Sequence, residues 1–357
     1  MRVVIANPPG YGGPDYDHAL CSQLAGLGLE VELVTSHSRF VEAPPPAGYR
    51  RSELFYPLSS RLFRRSPLRL PLKALEHPLG HARLQRRRAD VVHVQWLSVP
   101  PLDEHLLHLR GRTVFTTHDA LPRRRSPWRL RSWLRTLRRF DAVVVHSRRG
   151  RQTLLELGLD EARVRVIPHP IFPSDPPRRD DGRTLLCFGL IRPYKGLDDA
   201  IAAAKLIPGA RLLVAGDPME PIGRYQAAAG DIAEWRLGYL PLAEVERAYG
   251  DATVAVFPYR PELDQSGAML RALGAGVPAV VYDVGGLSEP VRDFGAGRVV
   301  AQGDVEGLAA AVRELLDDPV ALAEARAGAL RARAAYTWQA SAAQHLELYR
   351  ELTGARA

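Results

Sequence analysis

A chain of 357 residues is too long for one hydrophobic core, because single cores stop growing at roughly 250–300 residues, and it therefore predicts two domains. Its 46% hydrophobic and 25% charged residues are typical of a globular protein, and its two distant cysteines exclude a disulfide framework and match no metal-ligand spacing. The net charge of +8 is uneven: residues 61–151 carry 22 Lys or Arg against 6 Asp or Glu, which indicates a phosphorylated, nucleic-acid or membrane-surface partner.

The first apolar run is short. Residues 3–6 precede Pro8 and Pro9, so the run is too short for a signal peptide and predicts a buried first strand. No window approaches the roughly 18 apolar residues that a membrane-spanning helix needs. We therefore expect a cytoplasmic protein, and the scarcity of cysteine fits a reducing compartment.

Short β-branched runs alternate with helical stretches through the first half of the chain. Strands that alternate with helices predict a parallel sheet covered on both faces. Residues just after such strands meet ligands, because doubly wound sheets bind them at the carboxyl ends of the strands. The predicted strands are 3–6, 31–35, 91–94, 113–117, 142–146 and 164–167, with helices at 17–28 and 129–140.

A proline-rich and charged segment follows and marks an interdomain connection. We place the first domain at residues 1–173, the linker at 174–182 and a second α/β domain at 183–335. Two doubly wound domains joined by one linker predict a deep cleft. The second series has strands at 184–188, 211–215, 252–258, 279–282 and 298–300, helices at 197–206, 242–249, 267–275 and 305–316, and a last helical stretch at 341–352.

Two loops of the first domain are candidates for ligand binding. Gly12 and Gly13 follow the first strand and precede a helix, so their backbone could approach an anion at the helix N-terminus, although a simple turn explains them equally well. His118 follows the fourth predicted strand, where it could donate to a ligand hydroxyl or polarise a reacting group. A histidine that merely caps the strand end is the structural alternative.

Arg192 and Lys195 lie in the loop after the first strand of the second domain, close to Gly189 and just before a helix. Arginine grips phosphate oxygens with a planar fork, and lysine adds a compact charge. Two cations in a loop are often only solvated, but their place after a buried strand and beside glycines favours a diphosphate site.

Polar groups also converge at the starts of two later helices. In the first of these segments, carboxylate and amide oxygens can accept hydrogen bonds from sugar hydroxyls, and the amide and hydroxyl groups can donate to phosphate. Asp264 or Ser266 could equally cap the helix. Glu289 follows a Gly-Gly pair, and it could face the cleft or serve as a first-turn acid. The first of these segments contains Glu262, Asp264, Gln265, Ser266 and Gly267.

Taken in order, these segments resemble the retaining GT-B glycosyltransferases of the GT4-like group, also called glycosyl transferases group 1, over essentially the full chain. The most specific stretches are FGLIRPYKG at 188–196 and residues 258–289, and Gln-Ser-Gly at 265–267 resembles one subgroup. Other segments of this chain that have counterparts in the family are residues 117–119, 146–147, 166–170, 214–216 and 238–241. The resemblance implies a GT-B fold, two Rossmann-like doubly wound domains facing across a cleft, with residues 336–357 as a helix that crosses back to the first domain.

The resemblance also implies a hexosyltransferase that moves a sugar from a nucleotide-diphosphate donor to an acceptor hydroxyl with retention. Arg192 and Lys195 would hold the diphosphate, His118 would lie near the transferred sugar, and Gly12 and Gly13 would approach donor and acceptor. Glu262 and Asp264 would complete the catalytic set. Gly238, Tyr239 and Leu240 would contact the nucleobase. The other donor-binding residues would be Gly189, Gln265, Ser266, Gly267 and Glu289.

One departure from the family concerns its two glutamates eight positions apart. Aligning Arg271 with the second glutamate puts Leu263 at the first, flanked by Glu262 and Asp264. Arg271 cannot accept from ribose hydroxyls as a glutamate would, so the departure affects ribose recognition more than activity. The Gln-Ser-Gly subgroup also lacks the second glutamate.

Retention in this family is usually explained without an enzyme nucleophile, because the acceptor attacks the face from which the diphosphate leaves. The protein then holds both reactants and stabilises the leaving phosphate, a task for Arg192, Lys195 and a helix N-terminus. Two cations can replace a divalent metal, so we expect neither a metal nor another cofactor.

The excess of basic residues in the N-terminal half is accompanied by apolar residues. Leucines are interspersed with arginines between residues 61 and 88, and Trp128 and Trp133 share a helix with five arginines. Such faces suit anionic lipid, so we expect peripheral association with the inner face of a membrane and a lipid-linked or glycolipid acceptor. A core-facing helix with a solvated arginine face is the structural alternative.

Four other functions remain open from the sequence: a glycosyltransferase with a soluble small-molecule acceptor, a nucleotide-sugar epimerase of the same fold, a scaffold inactivated through Arg271, and a basic nucleic-acid-binding protein. The last would need stacking aromatics among its basic residues, and only Trp128 and Trp133 offer themselves. We therefore expect no nucleic-acid partner.

Overall fold

The chain folds into two α/β units. The computed structural model describes residues 1–10, 14–38, 42–62, 69–122, 126–260 and 265–355. The first unit comprises Met1–Pro168 and Trp338–Ala357, and the second comprises His169–Thr337. The end of the chain thus belongs to the same unit as its beginning.

Within the described residues, a seven-stranded parallel sheet forms the centre of the first unit, in the order β3-β2-β1-β4-β5-β6-β7. Val3 of the central strand pairs with Val31 on one side and Val91 on the other. The central strands are valine-rich and buried because helices cover both faces of the sheet. The strands are Arg2–Asn7 (β1), Glu30–Ser36 (β2), Arg50–Phe55 (β3), Val91–Val94 (β4), Arg112–Thr117 (β5), Ala142–Val145 (β6) and Val164–Val166 (β7).

The helices of this unit lie between the strands, and one more comes from the end of the chain. That last helix packs against the first one, where the rings of Tyr16 and Trp338 meet edge to face at 5.1 Å. The helices are Pro14–Gly26 (α1), Ser59–Leu62 (α2), Arg69–Gln85 (α3), Pro100–Leu106 (α4), Pro127–Leu137 (α5), Arg148–Glu156 (α6) and Trp338–Thr353 (α14).

The described part of the second unit contains a six-stranded parallel sheet in the order β10-β9-β8-β11-β12-β13. Its strands are Thr184–Phe188 (β8), Arg211–Gly216 (β9), Ala233–Leu237 (β10), Val254–Phe257 (β11), Ala279–Tyr282 (β12) and Gly297–Val300 (β13). Its helices are Leu197–Lys205 (α7), Gly223–Ala229 (α8), Leu242–Asp251 (α9), Gly267–Gly274 (α10), Ser288–Phe294 (α11), Val305–Asp317 (α12) and Pro319–Ala335 (α13). The two-sheet architecture confirms the predicted pair of doubly wound domains.

Every strand predicted from the sequence is present, and β3 and β10 were missed. Both are edge strands, paired on one side only. Their sequences, RRSELF and AEWRL, are polar and only partly buried, so they lack the apolar run that identifies a central strand. Among the described helices, none is long and apolar enough to cross a membrane.

Candidate active site

The loop after β8 is built for close backbone approach. Gly189 has a φ of +113° and Gly196 a φ of +65°, both in the left-handed region that favours glycine. A Cβ on Gly196 would lie 1.9 Å from the carbonyl oxygen of Pro258, so only glycine fits there. This approach brings the loop that carries Arg192 and Lys195 against the segment that follows β11.

Lys195 is fixed by Tyr259. Its ammonium donates a hydrogen bond to the Tyr259 hydroxyl and lies 4.1 Å from the centre of the ring. The Tyr259 hydroxyl is 3.1 Å from Ser266 Oγ, which accepts from the backbone N–H of Met269 and so caps α10. A chain of hydrogen bonds therefore connects Lys195, the lysine predicted to bind phosphate, through Tyr259 to the N-terminus of α10.

Arg192 is partly buried just before the same turn. Its Nε is inaccessible to solvent and has no hydrogen-bond partner among the described residues. A buried N–H of a charged group left without an acceptor is costly, and an anion at this position would satisfy it. Burial raises the pKa of the neighbouring Cys187 thiol to about 12, with Lys195 opposing the shift, so the thiol stays protonated and is not a nucleophile.

Other predicted donor residues lie at the same edge of the second sheet. Gln265 donates from Nε2 to the carbonyl oxygen of Gly286 at 3.5 Å, and Glu289, three residues after Gly286, lies in the first turn of α11. Gly238 follows β10, and its N–H donates to the Gly216 carbonyl at the end of β9. Tyr239 is exposed beside it, whereas Leu240 is partly buried.

Four predicted site residues fall outside the described residues. These are Gly12, Gly13, Glu262 and Asp264. Arg271, which replaces the family's ribose glutamate, lies on α10 with its guanidinium 5.2 Å from the centre of the Phe172 ring. The arginine is thus packed against an aromatic ring of its own unit.

His118, in the first unit, is held on three sides. Its Nδ1 lies 3.2 Å from His146 Nε2, and its Nε2 lies 3.2 Å from Gln95 Oε1. His146 Nδ1 donates to the carbonyl oxygen of Ile167, which fixes the orientation of the His146 ring. Trp96 stacks on the His118 ring at 4.5 Å with an interplanar angle of 6°. The imidazole therefore has a fixed orientation.

Several residues that contact Lys195 or His118 were not predicted from the sequence. Gln95, Trp96 and Tyr259 directly follow β4 and β11, so the rule that selected His118 would also have found them. Asp15 and Asp17 have an Asp-x-Asp spacing, but their surroundings differ. Asp17 is buried and accepts from Asn7 Nδ2 at 2.7 Å, whereas Asp15 is exposed. Burial raises the pKa of Asp17 to about 7, partly opposed by that hydrogen bond.

In the basic region, residues 61–151, some side chains are buried in the core and others are exposed. Trp133 agrees with the core-facing alternative: its ring is buried, and its Nε1–H donates to the Ala120 carbonyl at 3.1 Å, because α5 packs on α4. Arg135 on the same helix pairs with Glu104. Trp128 is 51% exposed, as expected.

Helix α3 exposes three of its leucines, whereas Leu84 near its end is buried in the core. Leu70, Leu75 and Leu79 are 60%, 72% and 58% exposed, while Glu76 and His77 point inward and are buried. Leucine side chains this exposed place apolar surface in contact with water, which solvates it poorly.

Two family models match the chain. The model of glycosyl transferases group 1 covers residues 182–318, and that of glycosyltransferase family 4 covers residues 15–174. A glycogen synthase of Mycobacterium tuberculosis strain H37Rv is 32% identical over 73% of this chain and 69% of its own. A D-inositol 3-phosphate glycosyltransferase of Kineococcus radiotolerans is 27% identical over 95% and 90%.

Solved structures share the fold. A sucrose-phosphate synthase from Thermosynechococcus elongatus superposes with a TM-score of 0.75 at 21% identity over all of both chains. The Anabaena protein HepE in complex with UDP-glucose gives a TM-score of 0.73 at 14% identity over 99% of this chain and 100% of its own. These likenesses confirm the predicted GT-B fold.

Proposed function

The chain belongs to the group 1 glycosyltransferases of family 4 and is a hexosyltransferase, and from that premise we propose that it transfers a sugar from a nucleotide-diphosphate donor, with retention, to a lipid-linked acceptor. The observation that carries the donor assignment is the pair of cations after β8. One of them, Arg192, has a buried Nε without a partner among the described residues, and the other, Lys195, is fixed by Tyr259.

The donor diphosphate would be held by Arg192, Lys195 and the N-terminus of α10. Ser266 caps one N–H of that helix, and other N–H groups of its first turn would donate to the anion. HepE, a structural neighbour, has been crystallised with UDP-glucose, a ligand of the proposed class. Glu289 and the segment Gly238 to Leu240 would contact the sugar and the nucleobase.

Retention would follow from attack on the face that the diphosphate leaves. The leaving group gains negative charge as the bond to the sugar breaks, and two preorganised cations stabilise that charge without moving. They would perform the task that Mg²⁺ performs elsewhere, so the proposed reaction needs no divalent ion. His118, whose ring orientation is fixed by His146, Gln95 and Trp96, would lie near the transferred sugar.

The outward face of α3 supports the lipid-linked acceptor. Its exposed leucines lie within the segment of 61–151 that carries 22 basic against 6 acidic residues. Apolar side chains beside excess positive charge fit a surface of anionic lipid, where the leucines enter the acyl boundary and the cations meet headgroups.

A soluble anionic acceptor is the second candidate. Several relatives are named D-inositol 3-phosphate glycosyltransferases, and a basic first unit also suits an acceptor that carries a phosphate. Under this alternative the leucines of α3 would serve another contact.

A donor panel tests the proposal. The full-length protein is incubated with UDP-, ADP- and GDP-sugars, and release of the nucleotide diphosphate is measured with and without a polyprenyl-diphosphate sugar or inositol 3-phosphate. We expect slow hydrolysis of one donor, accelerated by one class of acceptor. Absence of binding and hydrolysis for every nucleotide sugar would overturn the donor assignment, and acceleration by inositol phosphate alone would replace the lipid-linked acceptor.

A further inference from the structure

A cluster of ionisable side chains lies buried beneath α3. His77 and His81 point inward from this helix, and Asp103 reaches them from α4. Their exposed fractions are 3%, 1% and 0%. His77 Nε2 lies 2.8 Å from Asp103 Oδ1, and His81 Nε2 lies 2.9 Å from the same oxygen. None of these residues takes part in the proposed transfer.

The sequence and the fold bring the three groups together. His77 and His81 are four residues apart, so both imidazoles lie on one face of the helix. Asp103 is oriented from the other side, because its Oδ2 accepts from the backbone N–H of Val99 at 2.7 Å. All three groups can therefore point one atom at a common centre.

Hydrogen bonds alone leave this cluster incomplete. His77 Nε2 is close to the carboxylate but makes no hydrogen bond of acceptable direction, and His81 Nδ1 is buried without a partner among the described residues. Within the described part of the chain, the ion pairs of Asp103 are those with the two histidines alone. A cation between the three groups would supply the partner that His77 Nε2 lacks among the described residues.

We propose that His77, His81 and Asp103 bind a divalent transition-metal ion, for which Zn²⁺ is the best fit. Two imidazole nitrogens and one carboxylate oxygen are ligands that zinc prefers, with a water or a further group in the fourth position. The ion would bind one carboxylate oxygen of Asp103 and the Nε2 atom of His77, which makes no hydrogen bond among the described residues.

The dimensions and surroundings of the cluster fit an ion. The three ligand atoms lie within 4.8 Å of one another. Zinc bonds of about 2.0–2.1 Å place tetrahedral ligands about 3.4 Å apart, so each contact with Asp103 would widen by about half an ångström. The hydroxyl of Tyr56 lies 2.7 Å from His77 Nδ1 and fixes that ring, while the ring of Phe55 packs edge to face on His81 at 5.3 Å.

The bound ion would join α3 to α4 beneath the exposed leucines. Its expected effect is structural, since binding to the folded state alone stabilises that state. This inference does not rest on the proposed glycosyl transfer, and metal content can be measured whether or not a donor is found.

Metal content of the full chain, expressed without a histidine tag, tests the proposal. We expect about one zinc per chain by elemental analysis, and tight rebinding after removal with a chelator. Cobalt substituted into the apo protein should give intense visible absorption bands typical of low coordination number. The wild-type protein should also unfold at a higher temperature with zinc than without it.

Variants separate a metal site from a hydrogen-bonded cluster. His81→Gln keeps an N–H near the position of Nε2 but supplies a poor metal ligand, so zinc affinity should fall by about 100-fold or more. His105→Gln, at an exposed histidine of α4, is the matched control and should bind zinc as the wild type does. Absence of metal from the wild type after dialysis against zinc, or equal zinc affinity in His81→Gln, would overturn the proposal. If His81→Gln does not fold, the cobalt spectrum and rebinding by the wild type decide the question.

Discussion

The ammonium of Lys195 and the hydroxyl of Tyr259 are joined by a hydrogen bond, and the same ammonium lies 4.1 Å from the centre of the tyrosine ring. The contact links the loop after β8 to the segment after β11, so a cation proposed to bind phosphate is held in place before any ligand arrives. Preorganisation of this kind lowers the entropy that binding would otherwise cost.

Replacing Arg192 or Lys195 with alanine should weaken the binding of free nucleotide diphosphate. Hydrogen bonds to charged groups contribute about 1.5–3 kcal/mol each, so we expect affinity to fall by about 10- to 100-fold in each variant. Isothermal titration calorimetry with the nucleotide diphosphate identified by the donor panel measures this effect. Tyr259→Phe, which leaves the charge but frees the lysine, should weaken binding by a smaller factor.

Arg313→Ala is the control for loss of charge, since this arginine is exposed on α12. It should bind the nucleotide as the wild type does. Unchanged affinity in both Arg192→Ala and Lys195→Ala would show that the two cations do not hold the diphosphate.

His118→Ala should separate binding from chemistry. We expect nucleotide affinity to stay within about twofold, because the proposed diphosphate contacts lie in the second unit, while turnover at saturating donor falls by about 100-fold. Calorimetry and steady-state kinetics on the same preparation give both values, and His105→Ala controls for loss of a histidine in the first unit. Loss of nucleotide binding with normal turnover would contradict this division of roles.

The central part of each sheet was predictable because a strand buried on both faces must be apolar throughout. Residues 142–145, for example, read AVVV and are buried. The edge strands β3 and β10 pack on one side only, so their polar sequences carry no such signal. Helix α3 was also unrecognised as an element, since it contains Pro78 and turns leucines outward and histidines inward.

The loop at residues 188–196 could be selected from the sequence as a candidate phosphate site because position after a strand, glycine spacing and charge all agree there. The partners of its side chains could not be predicted, since the bond from Lys195 to Tyr259 depends on how two distant loops pack. The buried group of His77, His81 and Asp103 shows the same limit. The four-residue spacing of the histidines was visible in the sequence, but the carboxylate comes from another helix.

Turnover should not require added Mg²⁺ or Mn²⁺. Two cations at the diphosphate leave little negative charge for a divalent ion to neutralise, so we expect rates with and without excess Mg²⁺ to agree within about twofold. The assay compares initial rates in EDTA and in Mg²⁺ within minutes, and metal analysis afterwards checks that the zinc proposed at His77 and His81 was retained. A rate that disappears in EDTA and returns with Mg²⁺ would show a metal-dependent reaction.

Liposomes containing anionic lipid should bind the protein, and salt should weaken the binding. The Debye length shrinks from about 10 Å at 0.1 M salt to about 3 Å at 1 M, so the part of the affinity that arises from the basic residues fades over this range. The apolar part should depend on α3. Burying one leucine contributes about 1.5–3 kcal/mol, and the double change Leu75→Gln with Leu79→Gln should therefore lower the partition coefficient by at least about tenfold.

Sedimentation with neutral and anionic vesicles at two salt concentrations measures both contributions. Leu330→Gln is the matched control, because this leucine is 49% exposed on α13 in the other unit and should not affect binding. Equal sedimentation with neutral and anionic vesicles would remove the electrostatic part of the proposal. If the wild-type protein does not sediment at all, the exposed leucines of α3 do not bind lipid, and the soluble anionic acceptor becomes the better account of the basic first unit.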